Sequence, residues 1–247
     1  MFYDLNIPWP AHPVGISKKS KAGARPELTR SEPGVPHDAL SAEQRQRLGE
    51  VMQECAQPIK QLTRLTLVLD NAQAIKAGTG FVNANSVALQ KYDLLAVRPL
   101  TEAAFQHACI TMGELKPFSV DIISLDLAAA PRLPFHLRRS TVGAALANGV
   151  VFEINYSPAV DASGGGAAQD VSTARRNLFC GARDLLRATN GRGVILSSAA
   201  RDALGLRGPY DVMNLAALMG MPPVAAKEAI STTCASLVMR SRTLFAV

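Results

Sequence analysis

Aromatic residues are scarce in this chain, at 5% of 247 residues, and histidine is scarcer still, with four. Aliphatic strands and alanine-rich helices must therefore fill the interior, and 48% hydrophobic residues allow a sizeable core. His12, His37, His107 and His136 form no HxH or HExxH pattern, and no DxD-type cluster stands in for one. No motif announces a metal or a cofactor. Cys55, Cys109, Cys180 and Cys234 are scattered without a CxxC. Three of them fall in apolar helical patterns, which reads as buried free thiols in a reducing compartment. There is no GxSxG elbow, and no strand or GK(S/T) accompanies Gly164-Gly165-Gly166. No apolar run approaches the roughly 18 residues of a membrane span, so no membrane partner is expected. Asp4, Pro8 and Pro10 argue against a signal peptide. These absences leave a soluble intracellular protein without visible catalytic machinery.

What is present is an alternation of strand and helix. Strand runs are Phe2–Asn6, Leu65–Asp70, Tyr92–Val97 (ended by Arg98-Pro99), Val120–Leu127, Val150–Asn155 and Gly193–Ser198. Helices are expected from Ser41, over Asn83–Gln90, from Thr101-Glu102, from a cap at Ser140 or Thr141 to Asn148-Gly149, and over Val171–Thr189. Two or three more follow Tyr210, broken at Pro222-Pro223 and near Ser231. Residues 11–40 are basic and proline-rich, with no hydrophobic period, and read as a mobile segment. The expectation is one α/β domain over residues 1–247 with a mostly parallel sheet, closed barrel or open. The six strand runs fall short of the eight in a complete barrel.

Net charge is +6 and the pI about 9.4, which fits a polyanion partner without requiring one. The stretch VDIISLDLAAAPRLPFHLRRSTVGAALANGVVFEINYSP, Val120–Pro158, concentrates that charge. After its first strand come Arg132, His136, Arg138 and Arg139, with no acid between Leu127 and Phe152. Loops after the carboxyl ends of parallel strands are where α/β proteins place their sites. A cationic patch there points to a polyanion, with solvated surface arginines as the alternative. Asp4, Asp121 and Asp126 lie near strand ends and suit weak Mg²⁺ binding or, equally well, buried or capping roles.

Several segments together resemble one family: FYDLNIP, LTRLTLVL, YDLLAVRP, DIISLDL with LPFHLRR, FEINYSPA, VILSSAA, RGPYDVMNL and ISTTC. They look like the roughly thirty-kilodalton protein subunit of nuclear ribonuclease P and ribonuclease MRP, in a fungal-type version. The resemblance implies a TIM-barrel-like fold related to the polymerase-and-histidinol-phosphatase (PHP) hydrolases. It also implies an RNA-binding scaffold in a nuclear or nucleolar particle whose RNA removes the 5′ leader of precursor tRNA or processes ribosomal RNA precursors. Partners would be that RNA, precursor tRNA, a small ferredoxin-like subunit and other particle proteins. Where the hydrolases carry HxH, this chain has Asp4-Leu5-Asn6. Losing both imidazoles fits a non-catalytic subunit, the alternative being a PHP-like metal-dependent phosphoesterase. Residues 11–40 depart from the family, which continues there with an apolar helix and a second strand. In this frame Arg132, Arg138 and Arg139 are expected on RNA phosphates, helped by Arg175, Arg176 and Arg240 if the fold brings them alongside. Arg207 either pairs with Asp211 one turn on or points at RNA or a partner, while Asp211 supports a helix start near Pro209.

Overall fold

The computed structural model describes residues 1–6, 62–69, 89, 92–113, 119–160, 171–200 and 205–245. The basic segment 11–40, the helix expected from Ser41 and most of Asn83–Gln90 lie outside the described residues; Leu89 is helical and buried. Among the described residues five strands form one sheet: β1 (Arg64–Leu69), β2 (Leu94–Pro99), β3 (Ile122–Leu125), β4 (Val151–Asn155) and β5 (Val194–Ser197). Every pairing is parallel, and spatial order equals chain order. Sequential order is the winding of a (β/α) barrel; doubly wound sheets reverse direction at a switch point. The helices are α1 (Glu102–Ile110), α2 (Arg139–Ala147), α3 (Ser157–Val160), α4 (Val171–Thr189), α5 (Pro209–Leu218), α6 (Pro223–Ala229) and α7 (Thr232–Phe245).

Strands β2 to β5 are buried on both faces, which is why they read as nearly continuous apolar runs, whereas β1 leaves Thr66 and Val68 exposed. Leu95, Val97, Ile123, Leu125, Phe152, Ile154, Val194 and Leu196 point outward into one core with the flanking helices. Phe105 of α1 anchors it, stacked on Phe135 at 4.7 Å between ring centroids and tilted against Phe152 at 6.4 Å. Each fully buried side chain of this size contributes about 1.5–3 kcal/mol. The alternate positions Leu94, Ala96, Ile122, Val151 and Ile195 form a second cluster with Cys234 and Leu237 of α7, joined by Tyr3 and Leu5. Helix α7 thus fills the inward face near the amino ends of the strands.

Four expectations need correction. Phe2–Asn6 is not a strand. Its backbone bonds go to unrelated partners, Tyr3 N to Ile230 O at 2.9 Å and Ala199 N to Asn6 O at 2.7 Å, so no ladder forms. Arg98-Pro99 does not stop β2 after Val97 but forms its last two residues, with Pro99 opposite Leu69 at the last position, where a missing donor costs least. Helix α2 is not capped by Ser140 or Thr141. Phe135 is drawn into the core, the chain turns early, and Arg138 becomes the N-cap, its carbonyl accepting from Val142 N at 3.0 Å with no side-chain cap. Cys180 is exposed, whereas Cys109 and Cys234 are buried free thiols whose burial pushes their pKa up to about 12. Other boundaries stand close to expectation: α4 spans Val171–Thr189, and Asn190 and Gly191 end it in the left-handed region.

Candidate functional site

The inward face changes character along the strands. Beyond the apolar layer against α7 the parallel register brings together Ser124, Glu153, Asn155 and Ser197, and Arg64, the first residue of β1, reaches them across the concave face. Glu153 is wholly buried, and the Arg64 side chain is 8% exposed. Arg64 Nη1 donates to Glu153 Oε1 at 2.5 Å and Nη2 to Oε2 at 2.8 Å. Ser197 Oγ donates to Oε1 at 2.6 Å, and Asn6 Nδ2 reaches Oε2 at 3.3 Å and Asn155 Oδ1 at 3.0 Å. Asn155 Nδ2 donates in turn to Ser124 Oγ at 3.0 Å. The opening segment is tied to this group, because Arg64 Nη1 also donates to Leu5 O at 3.1 Å. Asp4 Oδ1 accepts from Ser198 N at 3.0 Å.

Burial alone would push the Glu153 carboxyl up, but the Arg64 charge and the surrounding donors outweigh it and hold the carboxyl below the usual glutamate range. Both its oxygens are taken up by donors, which leaves poor access for a cation. Asp4 behaves oppositely: the residue is exposed overall, yet desolvation of its tucked-in carboxylate pushes its pKa up. Asp121 and Asp126, the other acids expected near strand ends, do not converge with Asp4. Asp126 accepts from Ala129 N and lies 4.0 Å from Arg98 at the carboxyl end of the sheet, while Asp121 is buried at the amino end. Among the described residues no three His, Cys, Asp or Glu side chains gather to hold a metal ion.

The carboxyl end of the sheet carries the arginines. Arg132 lies in the exposed loop after β3, with Arg138 and Arg139 at the start of α2. Arg175 and Arg176 stand near the start of α4, and Arg175 Nε donates to Ala159 O of α3, just past β4. Asn177 Nδ2 reaches Ala128 O at 3.2 Å, which ties that part of α4 to the loop after β3. Arg207 follows β5, and its backbone N donates to the hydroxyl of Tyr156, past β4, at 3.3 Å. The acid-free stretch of sequence is not acid-free in space, since Glu102 of α1 comes within 3.6 Å of Arg138. Arg132, Arg139 and Arg176 are exposed and have no ion-pair or hydrogen-bond partner among the described residues. Helix α2 has no acid in its first turn, so Arg139 adds to the positive end of the helix dipole instead of offsetting it.

Arg240 does not join them. It sits at the amino end, where its guanidinium donates to Gly149 O and reaches Ser119 Oγ at 3.5 Å. Gly149 adopts φ +74, and a Cβ there would lie 2.8 Å from Arg240 Nη1, so glycine is what lets the guanidinium approach. Beside it Asp121 accepts from Leu95 N at 2.9 Å through Oδ2, while its buried Oδ1 has no hydrogen-bond partner among the described residues. Desolvation pushes the Asp121 pKa up to about 6 against the pull of the Leu95 amide and Arg240. Sequence reasoning did not single out Arg64, Glu153 and Asn155. The available signal was an acid in a strand, FEIN, apolar around it, with an arginine at the matching phase of RLTLVL.

Sequential parallel strands, an inward layer tied by a buried ion pair, and an arginine-rich carboxyl end define a TIM-barrel-like α/β protein with a cationic mouth. Comparison with known proteins narrows the class. The profile of the family RNase P subunit p30 matches residues 1–244, and the chain belongs to that family. It is 35% identical over 193 residues to the mouse ribonuclease P protein subunit p30, covering 78% of this chain but 64% of the mouse protein, less than two thirds of its length. It is 30% identical over 250 residues to the probable ribonuclease P protein subunit 3 of Schizosaccharomyces pombe, covering 98% and 94% of the two chains. A chain in the cryo-EM structure of archaeal ribonuclease P with mature tRNA shares the fold, with a TM-score of 0.55 at 16% identity over 85% of this chain and 80% of that one.

Proposed function

We propose that this protein acts as an RNA-binding subunit of ribonuclease P, and of the related ribonuclease MRP, in the nucleus and nucleolus. It serves as one α/β domain that holds the particle's RNA through the arginine-rich carboxyl end of its sheet and performs no cleavage by itself. Its partners are the particle RNA, precursor tRNA in the assembled enzyme, a small ferredoxin-like subunit and the other particle proteins. The observation that carries this reading is the gathering of Arg132, Arg138, Arg139, Arg175, Arg176 and Arg207 at one end of the sheet, three of them without a partner among the described residues. Arginine suits phosphate because its planar fork donates two parallel hydrogen bonds. Such contacts position the protein and carry little sequence information. Family membership and the ribonuclease P names of its relatives support the same reading. Against a phosphoesterase stands Glu153, the most enclosed acid of the inward face, whose two oxygens already accept hydrogen bonds.

The test is affinity capture of the tagged full-length chain from cell extract, followed by sequencing of the bound RNA. Enrichment of ribonuclease P and MRP RNAs is expected. Capture of protein partners with neither RNA would overturn the reading.

A further inference from the structure

We infer that Tyr210, with Arg207 and Asn214, forms a stacking platform for one unpaired nucleotide of RNA, an inference that rests on the RNA-subunit reading above. Tyr210 is the second residue of α5 and is 71% exposed, an unusual setting for a large aromatic ring in a chain so poor in them. The ring is braced: Phe2 meets it at 6.1 Å between centroids and 65° between planes. Phe2 is held by its neighbour, because Tyr3 N donates to Ile230 O. The backbone of Arg207 is held by the hydroxyl of Tyr156, which is buried, and its guanidinium Nη1 donates to Leu206 O at 3.3 Å. The platform is therefore fixed to the same end of the sheet as the arginines.

The side chains around Tyr210 are chemically mixed. Asn214 lies one turn along the same face of α5 and is exposed, as is Arg207. A π-surface, an amide and a guanidinium are the groups that grip an unpaired nucleotide: the ring stacks on the base, the amide reads its edge, and the guanidinium meets the backbone or the ring face. Asp211, also exposed in the first turn, decides what Tyr210 itself touches. Its carboxylate offsets the positive helix end and repels phosphate, whereas a base carries no charge to repel. The base is thus the part of the nucleotide that fits over the helix start. Leu218, two turns on and 74% exposed, offers the competing occupant, an apolar protein surface.

The experiment uses the full chain with Tyr210→Ala, Tyr210→Phe and Arg207→Ala, each checked by circular dichroism. Binding is measured across salt concentrations to a single-stranded RNA, to the same RNA carrying abasic nucleotides, and to its duplex. Tyr210→Ala is expected to weaken single-strand binding about tenfold or more at an unchanged salt slope, while Tyr210→Phe keeps wild-type affinity. Abasic RNA should bind the wild type as weakly as intact RNA binds the alanine variant, and duplex affinity should not move. Arg207→Ala should lower the salt slope by about one unit. If the wild type binds RNA with a steep salt slope and Tyr210→Ala binds as well, the platform is wrong and the RNA-subunit reading stands. Absence of salt-dependent RNA binding in the wild type would remove both. Unchanged RNA binding with loss of a co-captured protein would assign Tyr210 to a protein partner instead.

Discussion

Arg64 on β1 and Glu153 on β4 grip each other at two points, 2.5 and 2.8 Å, although β2 and β3 stand between their strands. In a flat sheet three strand spacings would separate their backbones by about 14 Å. Side chains stand roughly perpendicular to a sheet and meet across two intervening strands only if the sheet curls, so the ion pair is a chord across a barrel-like concave face. It also fastens the opening segment through Leu5 and Asn6. Replacing Arg64 by Met is expected to destabilise the fold by about 3–5 kcal/mol, since the wholly buried Glu153 would lose its counter-charge. The double variant Arg64→Met/Glu153→Leu should recover most of that loss. Urea unfolding of the single and double variants measures both, and additive losses would contradict the pairing.

Asp121 sets the opposite pH response to Glu153. A carboxyl whose folded pKa is raised, here to about 6 from 3.8, binds its proton more tightly folded than unfolded. Its ionisation therefore costs stability above about pH 6, and stability returns as pH falls from 7 toward 4. Glu153 is held below its usual range, so its contribution is present above that range and is lost as pH falls through its lowered value. Asp121→Asn keeps the acceptor for Leu95 N and removes the ionisation. We expect it to stabilise the protein by about 1–3 kcal/mol at pH 7.5, with the advantage shrinking toward pH 5. Denaturant midpoints at several pH values check this, and a pH-independent difference would count against it.

The strand and helix alternation was legible in the sequence because parallel strands buried on both faces read as short apolar runs, and the long α4 shows its arginines on a helical period. The arginines after β3 were legible for the same reason, since a strand's end locates the loop that follows it. The Arg64–Glu153 contact was not. It joins residues 89 apart and exists only once the sheet has curled. Nor could sequence place Arg240, whose helix packs across the inward face and delivers it to the amino end. The start of α2 was misplaced because burial of Phe135 against Phe105 outweighed the capping preference of Ser140.

Gly193 enters β5 at φ +60, where a Cβ would stand 2.3 Å from Leu146 Cδ2. Left-handed backbone costs an alanine about 1–2 kcal/mol, apart from any contact. Gly193→Ala should lower stability by at least that amount, and adding Leu146→Ala should not restore it. Thermal unfolding of the two variants reads the result, and a restored midpoint would place the cost in the contact alone.

Asp211 occupies the first turn of α5, which has Gly208 as N-cap and no side-chain cap. Its charge there is worth about 0.3–1 kcal/mol. Asp211→Ala should cost stability on that scale and Asp211→Asn part of it, with the loss diminishing at high salt. Equal thermal midpoints for all three proteins would remove the helix-start role.

The most direct measurement of the central claim is a salt titration of RNA binding by the wild type and by the triple variant Arg132→Ala/Arg138→Ala/Arg139→Ala, with circular dichroism to confirm folding. Each phosphate contact contributes about 0.7–0.9 to the slope of log K against log salt, so the variant should bind with a slope lower by about two to three units. Equal slopes in two folded proteins would mean that these arginines face solvent or a protein partner, and the proposed RNA interface at this end of the sheet would be wrong.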